Sequence, residues 1–364
     1  MKPEPRQLQS DYMDFAKFKT TARYNLASSG VADCALDELG LSLDALALHG
    51  PNASGYDPLI AAIAARFDLP EDCVVSPGGG CSFANHLAFA ALVSPGDRVL
   101  VEAPTYELLT ATLAYHQARP VRFERRLAEG WRLDAQRAID ALTPDTRLVV
   151  LTNLHNPSSA LADDAAVEAI AAAAARIGAM VLIDEVYREL TFGDGPPRTA
   201  FQPEGDIVVT SSLTKAYGLS GLRCGWILAP APLAHRLKRL NDLFGVAPPH
   251  IAELMALQAL TRLPQLRARA EARLAPNRAA YREILGGHPG LEQVIFDQGT
   301  TVFPRLVRGD GQALYEQLRR DFDTSIVPGR FFGLDDYIRV GLGGEAEPTR
   351  EGLIRLAQAL DQPG

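Results

Sequence analysis

The chain is poor in the residues that cross-link a protein or hold a metal in it. Its 364 residues include four cysteines, Cys34, Cys73, Cys81 and Cys224, and none are spaced as CxxC. That is too few to staple a chain of this length, which argues against a disulfide framework and for a reducing compartment. The seven histidines are scattered, with no HExxH pair to seat zinc on a helix. Basic excess is also missing. The formal net charge is −8, whereas nucleic-acid binding needs clustered cations. Long membrane-type runs are lacking too. The longest apolar stretch, "AIAAAAARIGAMVLIDEVY", is broken by Arg176 and Gly178 and ends in acids. It reads as an alanine-rich helix entering a buried strand. The stretch "MKPEPRQLQSDYMDFAKFKT" has no apolar core of a signal peptide. The expectation is a cytoplasmic protein with neither a nucleic-acid nor a membrane partner.

What is present is an ordinary globular composition, 47% hydrophobic and 22% charged, long enough for two domains. From about residue 73, β-branched runs alternate with helical patterns. Strands are expected at 97–104, 146–153, 179–187, 206–212 and 225–229, with helices at 106–116, 134–142 and 163–176 between the first of them. Continuous apolar strands alternating with helices give a mostly parallel sheet covered on both faces. The last two strands have only a short link without a helix, so they are expected to pair antiparallel at an edge of the sheet. Past about residue 235 come helical stretches at 232–244, 250–260 and 263–285, the last expected to be kinked or interrupted by Pro276. Shorter strand-like and helix-like pieces then end in a helix at 348–361.

The words that carry chemistry fall just beyond strand ends, where open α/β sheets place their sites. "APTYE" follows the first strand, "NLHNPSS" the second, "LIDEVY" closes the third and "SSLTKAYGLSGLRCGW" follows the fourth. This last piece sets one amine, Lys215, among small, hydroxyl and apolar residues, with Arg223 downstream. Three glycines in "SPGGGCSFANHLAFAAL" precede a helical run, a pattern that can seat an anion. Singly, each has a plainer reading: a surface lysine, a capping acid, a turn. Their order and placement are what count.

On these pieces, together with "IVPGRFFG…YIRVGLGG", the chain resembles class I/II aminotransferases, the pyridoxal 5′-phosphate (PLP)-dependent fold-type I family. The resemblance runs from about Gly30 to the final helix. It implies an α/β, aspartate-aminotransferase-like fold: a three-layer large domain over 46–270, and a smaller α+β domain from 1–45 and 271–364 that closes over substrate. It implies that Lys215 forms the Schiff base with the PLP aldehyde, since lysine pKa falls readily when buried near cations. Asp184 would pair with the pyridine nitrogen; Glu185, on the opposite face of the strand, would not. Tyr187 and Asn156 would donate to the ring oxygen, and Tyr106 would stack on the ring. Gly80, Cys81, Ser82, Ser212 and Arg223 would hold the phosphate. Arg339 would grip the substrate carboxylate, with Gly30 and Asn156 beside it.

The implied activity is transfer of an amino group between an L-amino acid and a 2-oxo acid, in a homodimer with sites at the interface. Two other readings share these motifs: a β-lyase or cyclase of the same fold, and a PLP-sensing regulator. The chain also departs from the family pattern. Ile60 stands where an arginine is common, and "HGPNASG" has no tyrosine to reach a partner's phosphate, leaving His49 or Asn52 in that place.

Overall fold

The computed structural model describes residues 6–40, 43–191 and 198–362. A short strand β1 (Tyr24–Asn25) comes first. Seven strands then build the main sheet: β2 (Val74–Val75), β3 (Arg98–Ala103), β4 (Arg119–Glu124), β5 (Thr146–Thr152), β6 (Met180–Asp184), β7 (Ile207–Ser212) and β8 (Gly225–Leu228). Their order is β2-β8-β7-β6-β5-β3-β4. Pairings from β7 through β4 are parallel, while β8 runs antiparallel to β7, as the short link between them predicts; the pair is not at the edge as expected, because the two-residue strand β2 pairs with β8 outside it.

The central strands carry apolar residues on both faces because both faces are covered. Along β5, Val149 and Leu151 enter one hydrophobic cluster while Leu148 and Val150 enter another. Strands β6 and β7 divide in the same way, with Ile183 and Val209 on one side and Leu182 and Val208 on the other. Each such side chain contributes roughly 1.5–3 kcal/mol by leaving water.

The helices are α1 (Asp11–Phe18), α2 (Leu36–Leu39), α3 (Asp57–Phe67), α4 (Gly80–Leu92), α5 (Glu107–Tyr115), α6 (Ala135–Asp140), α7 (Asp164–Ala175), α8 (Thr214–Tyr217), α9 (Ala231–Asn241), α10 (His250–Leu260), α11 (Leu263–Leu285), α12 (Gly311–Phe322) and α13 (Ala346–Asp361). Helices α6 and α7 start on Asp134 and Asp163, whose carboxylates accept from Arg137 N–H and Ala165 N–H. Six more short strands, β9 (Leu291–Glu292) to β14 (Ile338–Gly341), form small sheets, one of them including β1.

Three further features differ from the sequence expectation. Helix α11 runs unbroken through Pro276. Its buried residues to Leu274 join the main-sheet cluster and those from Ala280 join a separate one, so packing on two cores holds the helix across the missing N–H. Strand β4 escapes pattern reading because it is an edge strand with Pro120 in it and only Phe123 buried. The link between β7 and β8 contains the one-turn helix α8 and a turn of 3₁₀ helix.

One surface pair gives a stability prediction. His116 Nε2 and His86 Nδ1 lie 3.2 Å apart, with the rings stacked. Burial, then the neighbouring His86, lowers the His116 pKa to about 4. The folded chain therefore binds fewer protons than the unfolded chain between about pH 4 and 6.5, and stability falls as pH drops through that window. Melting curves of His116→Gln are expected to show a flatter decline over the same window. An unchanged acid slope would refute the assignment.

Candidate active site

The ends of β5, β6 and β7 and the start of α4 surround a cavity of about 210 Å³. Its lining includes Cys81, Ser82, Tyr106, Asn156, Asp184, Tyr187, Ser212, Lys215 and Arg223, nine of the residues singled out from the sequence.

Asp184 ends β6 and is buried. It accepts from Asn85 Nδ2 at 2.8 Å, Val186 N–H at 3.0 Å and Cys81 Sγ at 3.3 Å. Asn85 is itself fixed by the Thr210 hydroxyl, which donates to its Oδ1 at 2.6 Å. Burial raises the Asp184 pKa above the usual carboxylate range. This carboxylate is rigid and short of positive charge, and a protonated ring nitrogen would offset both burial and charge. Glu185 is turned away, accepting from Ala200 N–H at 2.9 Å, and burial brings its pKa to about 7.

The amine of Lys215, on α8, makes no hydrogen bond or ion pair among the described residues, while its backbone carbonyl accepts from Val31 N–H at 2.9 Å. Burial first, then the cations Arg339 and Arg223, lower its pKa to about 8. A substantial neutral fraction is thus available near pH 8, as a nucleophilic amine requires. Gly30 lies against its side chain: a Cβ there would stand 3.3 Å from Lys215 Cδ. Gly30 therefore makes room for the lysine, and it is not among the cavity-lining residues.

Anion donors gather at one end. Helix α4 begins at Gly79 and Gly80, both with positive φ, and no side chain caps it. Its first-turn residues Cys81 and Ser82 face the cavity. The Gly80 N–H donates to Arg223 O at 2.8 Å, and a Cβ on Gly80 would come within 2.7 Å of the Arg223 guanidinium. Glycine is therefore required twice over, for φ and for space. Arg223 donates to Gly79 O at 2.8 Å and has no carboxylate partner among the described residues. Nearby, the buried Thr214 hydroxyl has no hydrogen-bond partner. An uncapped helix start, an unneutralised guanidinium and an orphaned hydroxyl fit a phosphate group.

Arg339, on β14, is 0% exposed. It donates to Asn156 Oδ1 at 3.1 Å, Tyr12 Oη at 2.8 Å and Ala27 O at 3.1 Å, and its Nε has no partner. No carboxylate pairs with it among the described residues. A buried, uncompensated guanidinium strongly favours an incoming anion. Tyr187 donates to Ser29 Oγ at 2.8 Å. The Tyr106 ring meets Tyr12 edge-to-face at 5.3 Å.

Sequence reasoning missed the wall built by α1. Tyr12, Met13 and Ala16 line the cavity, and Tyr12 holds Arg339. The signal was present: Ser10 caps the helix, and residues 12, 15 and 16 fall on one helical face. Ser29, Thr152, Val186 and Thr214 also line the cavity, without any comparable sequence signal.

A half-buried amine and a fixed carboxylate at the strand ends of a mostly parallel sheet, with a buried guanidinium lacking an acid partner on β14 of a separate small sheet, define an aminotransferase-like α/β enzyme. The family "Aminotransferase class I and II" matches residues 45–359. The chain belongs to that family and is a transaminase; the family in general depends on PLP. It is 32% identical to capreomycidine synthase of Streptomyces vinaceus over 355 residues, 93% of this chain and 90% of the relative. It is also 32% identical to an arginine–pyruvate transaminase of Pseudomonas aeruginosa, over 79% of this chain and 74% of the relative. A PLP-dependent aminotransferase structure from Streptococcus suis shares the fold with a TM-score of 0.89 over the full length of both chains at 23% identity.

Proposed function

We propose that this site binds PLP and moves an amino group between an L-amino acid and a 2-oxo acid. The observation that carries this reading is the shared setting of Lys215, Asp184 and Arg339: an amine with a pKa of about 8, a fixed carboxylate, and a buried guanidinium without an acid partner. When bound, PLP supplies an aldehyde for the amine and a ring that accepts electrons from the reacting carbon.

The chain supplies position and proton transfer. Arg339 takes the substrate α-carboxylate, and Asn156 and Tyr12 hold its guanidinium in place. Asp184 would hold the ring nitrogen protonated. Tyr187 and the Asn156 amide would donate to the ring oxygen, Tyr106 would stack on the ring, and Gly80, Cys81, Ser82, Ser212 and Arg223 would hold the phosphate. Lys215, freed when the substrate amine takes its place, would take the α-proton as a base and give it as an acid to the carbon that carried the aldehyde.

Residues 46–270 serve as the cofactor-binding unit, and 1–45 with 271–364 as the unit that carries Arg339 over it. The chain works as a homodimer in the cytoplasm; the exposed Leu48, Leu243 and Val246 supply apolar surface for pairing. Asn52 is not available for a contact across the dimer, because its amide donates to Pro248 O and Glu253 Oε2, both at 2.7 Å. No helix among the described residues is long and apolar enough to cross a membrane.

A second reading, cyclisation or elimination on the same cofactor, is favoured by the long alignment with capreomycidine synthase. The test is a product assay on the purified enzyme. Stoichiometric appearance of a new amino acid from an added 2-oxo acid supports transfer. Ammonia without an acceptor, or a cyclised product, overturns it.

Arg339→Gln tests the carboxylate site. Losing a charged bidentate contact is expected to lower kcat/KM by roughly 10–100-fold, mostly through KM. The cofactor absorbance is expected to stay as in the wild type, and a wild-type KM would remove Arg339 from this role.

A further inference from the structure

A second cleft, of about 770 Å³, is much larger than the active-site cavity. Arg122, Arg125 and Trp131 line it from the strand β4 side, and Arg305, Phe332 and Tyr337 from the C-terminal part of the chain. Two of these wall residues carry buried donors with no partner among the described residues. Arg125 is 2% exposed; its Nη1 pairs with Glu102 Oε2 at 3.1 Å, while Nε and Nη2 bond to nothing. Trp131 is 1% exposed, its Nε1 has no acceptor, and its φ of 56° lies in the left-handed region. Buried donors without acceptors are uncommon and unfavourable, as is a bulky residue at that φ.

The remaining cations of the cleft differ in how they are neutralised. Arg126 pairs with Glu124 at 2.8 Å, and Arg305 with Glu292 at 3.2 Å and Asp336 at 2.6 Å. Arg122 is exposed, and its guanidinium has no ion pair or hydrogen bond among the described residues. Its guanidinium lies over Gly333, where a Cβ would be 3.0 Å from Nη1. The cleft thus offers one free cation at its rim, donors lacking acceptors in its wall, and apolar surface from Leu127, Leu334 and the aromatic rings.

Two routes join this cleft to the active site. Phe332 lines the cleft, and its ring centre is 5.3 Å from the Arg339 guanidinium. The other route is a run of hydrogen bonds. Arg125 pairs with Glu102, whose Oε1 accepts from Thr152 N–H and Oγ1, both at 2.6 Å. Thr152 Oγ1 accepts from Asn156 N–H at 3.1 Å, and Asn156 Oδ1 accepts from Arg339.

We infer that this cleft is an effector site for a small, flat carboxylate, held by Arg122 through its acid group and presenting an acceptor oxygen to Trp131 and Arg125. Fixing Arg125 and Phe332 orders Asn156 and Arg339 before substrate arrives. Binding of the effector therefore lowers the KM for the amino acid and leaves kcat nearly unchanged. This coupling rests on the reading of Arg339 as the carboxylate-binding residue.

The test uses holoenzyme titrated with 4-hydroxybenzoate, followed by calorimetry and by amino-acid KM. Saturable heat and a fall in KM of about fivefold are expected. The uncharged 4-hydroxybenzamide should do neither. Arg122→Ala, with wild-type kcat and KM in the absence of additive, should abolish both effects. Absence of saturable heat overturns the site, as does heat that survives Arg122→Ala. A competitive rise in KM places the acid at Arg339 instead and also overturns it. Heat with an unchanged KM overturns the coupling. Failure of the transaminase reading is read separately: no amino group reaches the 2-oxo acid, while the Arg122-dependent heat persists.

Discussion

Lys215→Ala is expected to abolish the visible absorbance that PLP gives the wild-type enzyme and to lower kcat by about ten-thousandfold, the upper range for a lost acid–base group. The fold is expected to survive. The Lys215 side chain contributes no ion pair or hydrogen bond among the described residues, its backbone contact to Val31 N–H is kept by alanine, and the short helix that carries it is held by its buried neighbours Ala216 and Tyr217. The pH dependence gives an independent check. The folded pKa of about 8 lies below the usual 10.5, so between these values the folded chain has released a proton that the unfolded chain retains. Burying this amine therefore opposes folding most below pH 8, and the opposition fades as pH rises toward 10.5. Cofactor-free Lys215→Ala is expected to melt above cofactor-free wild type at pH 7, with the gap closing toward pH 10. If the variant binds PLP with an unchanged visible spectrum, another amine holds the cofactor.

Much of this site could be read from the sequence because its residues sit at strand ends, and strands that are buried on both faces announce themselves. Strand β6 is an apolar run that stops at Asp184, and β7 one that stops just before the segment of Lys215. Arg339 was singled out only through the family resemblance, because an arginine in the run of β14 reads equally as a solvated strand residue until the fold buries it. The α1 wall was harder. Its helix caps and apolar spacing show that it forms, but only tertiary packing brings Tyr12 against a guanidinium 327 residues away in sequence. The anchoring of Asp184 was likewise hidden. Asn85 and Thr210 look like ordinary residues of a helix and a strand until the α4 face packs on β7. Strand β4 and the unbroken α11 are cases where tertiary contacts override local preference at a proline. One proline is tolerated because β4 is an edge, the other because α11 packs on two separate cores.

Asp184→Asn separates binding of the cofactor from its electronic tuning. The substitution is nearly isosteric, and the asparagine carbonyl can still accept from Asn85 Nδ2 or Val186 N–H, so the side chain keeps its place. Lys215 and the phosphate donors are untouched, and the variant is expected to remain yellow. What disappears is the negative charge. Burial raises the Asp184 pKa, and the hydrogen bonds from Asn85 and Val186 offset part of that rise. Charge is disfavoured here, and a cation brought against the carboxylate would offset that cost. Without that carboxylate the ring nitrogen loses its proton and accepts electrons poorly. The expected loss is about a thousandfold in kcat, the scale on which removing one preorganised electrostatic group acts. Because the lost interaction strengthens as the reaction proceeds, KM should change far less than kcat. Single-turnover absorbance changes on mixing with an amino acid would measure it directly. Turnover near that of the wild type would mean that Asp184 serves the packing of β6 against α4 and not the ring.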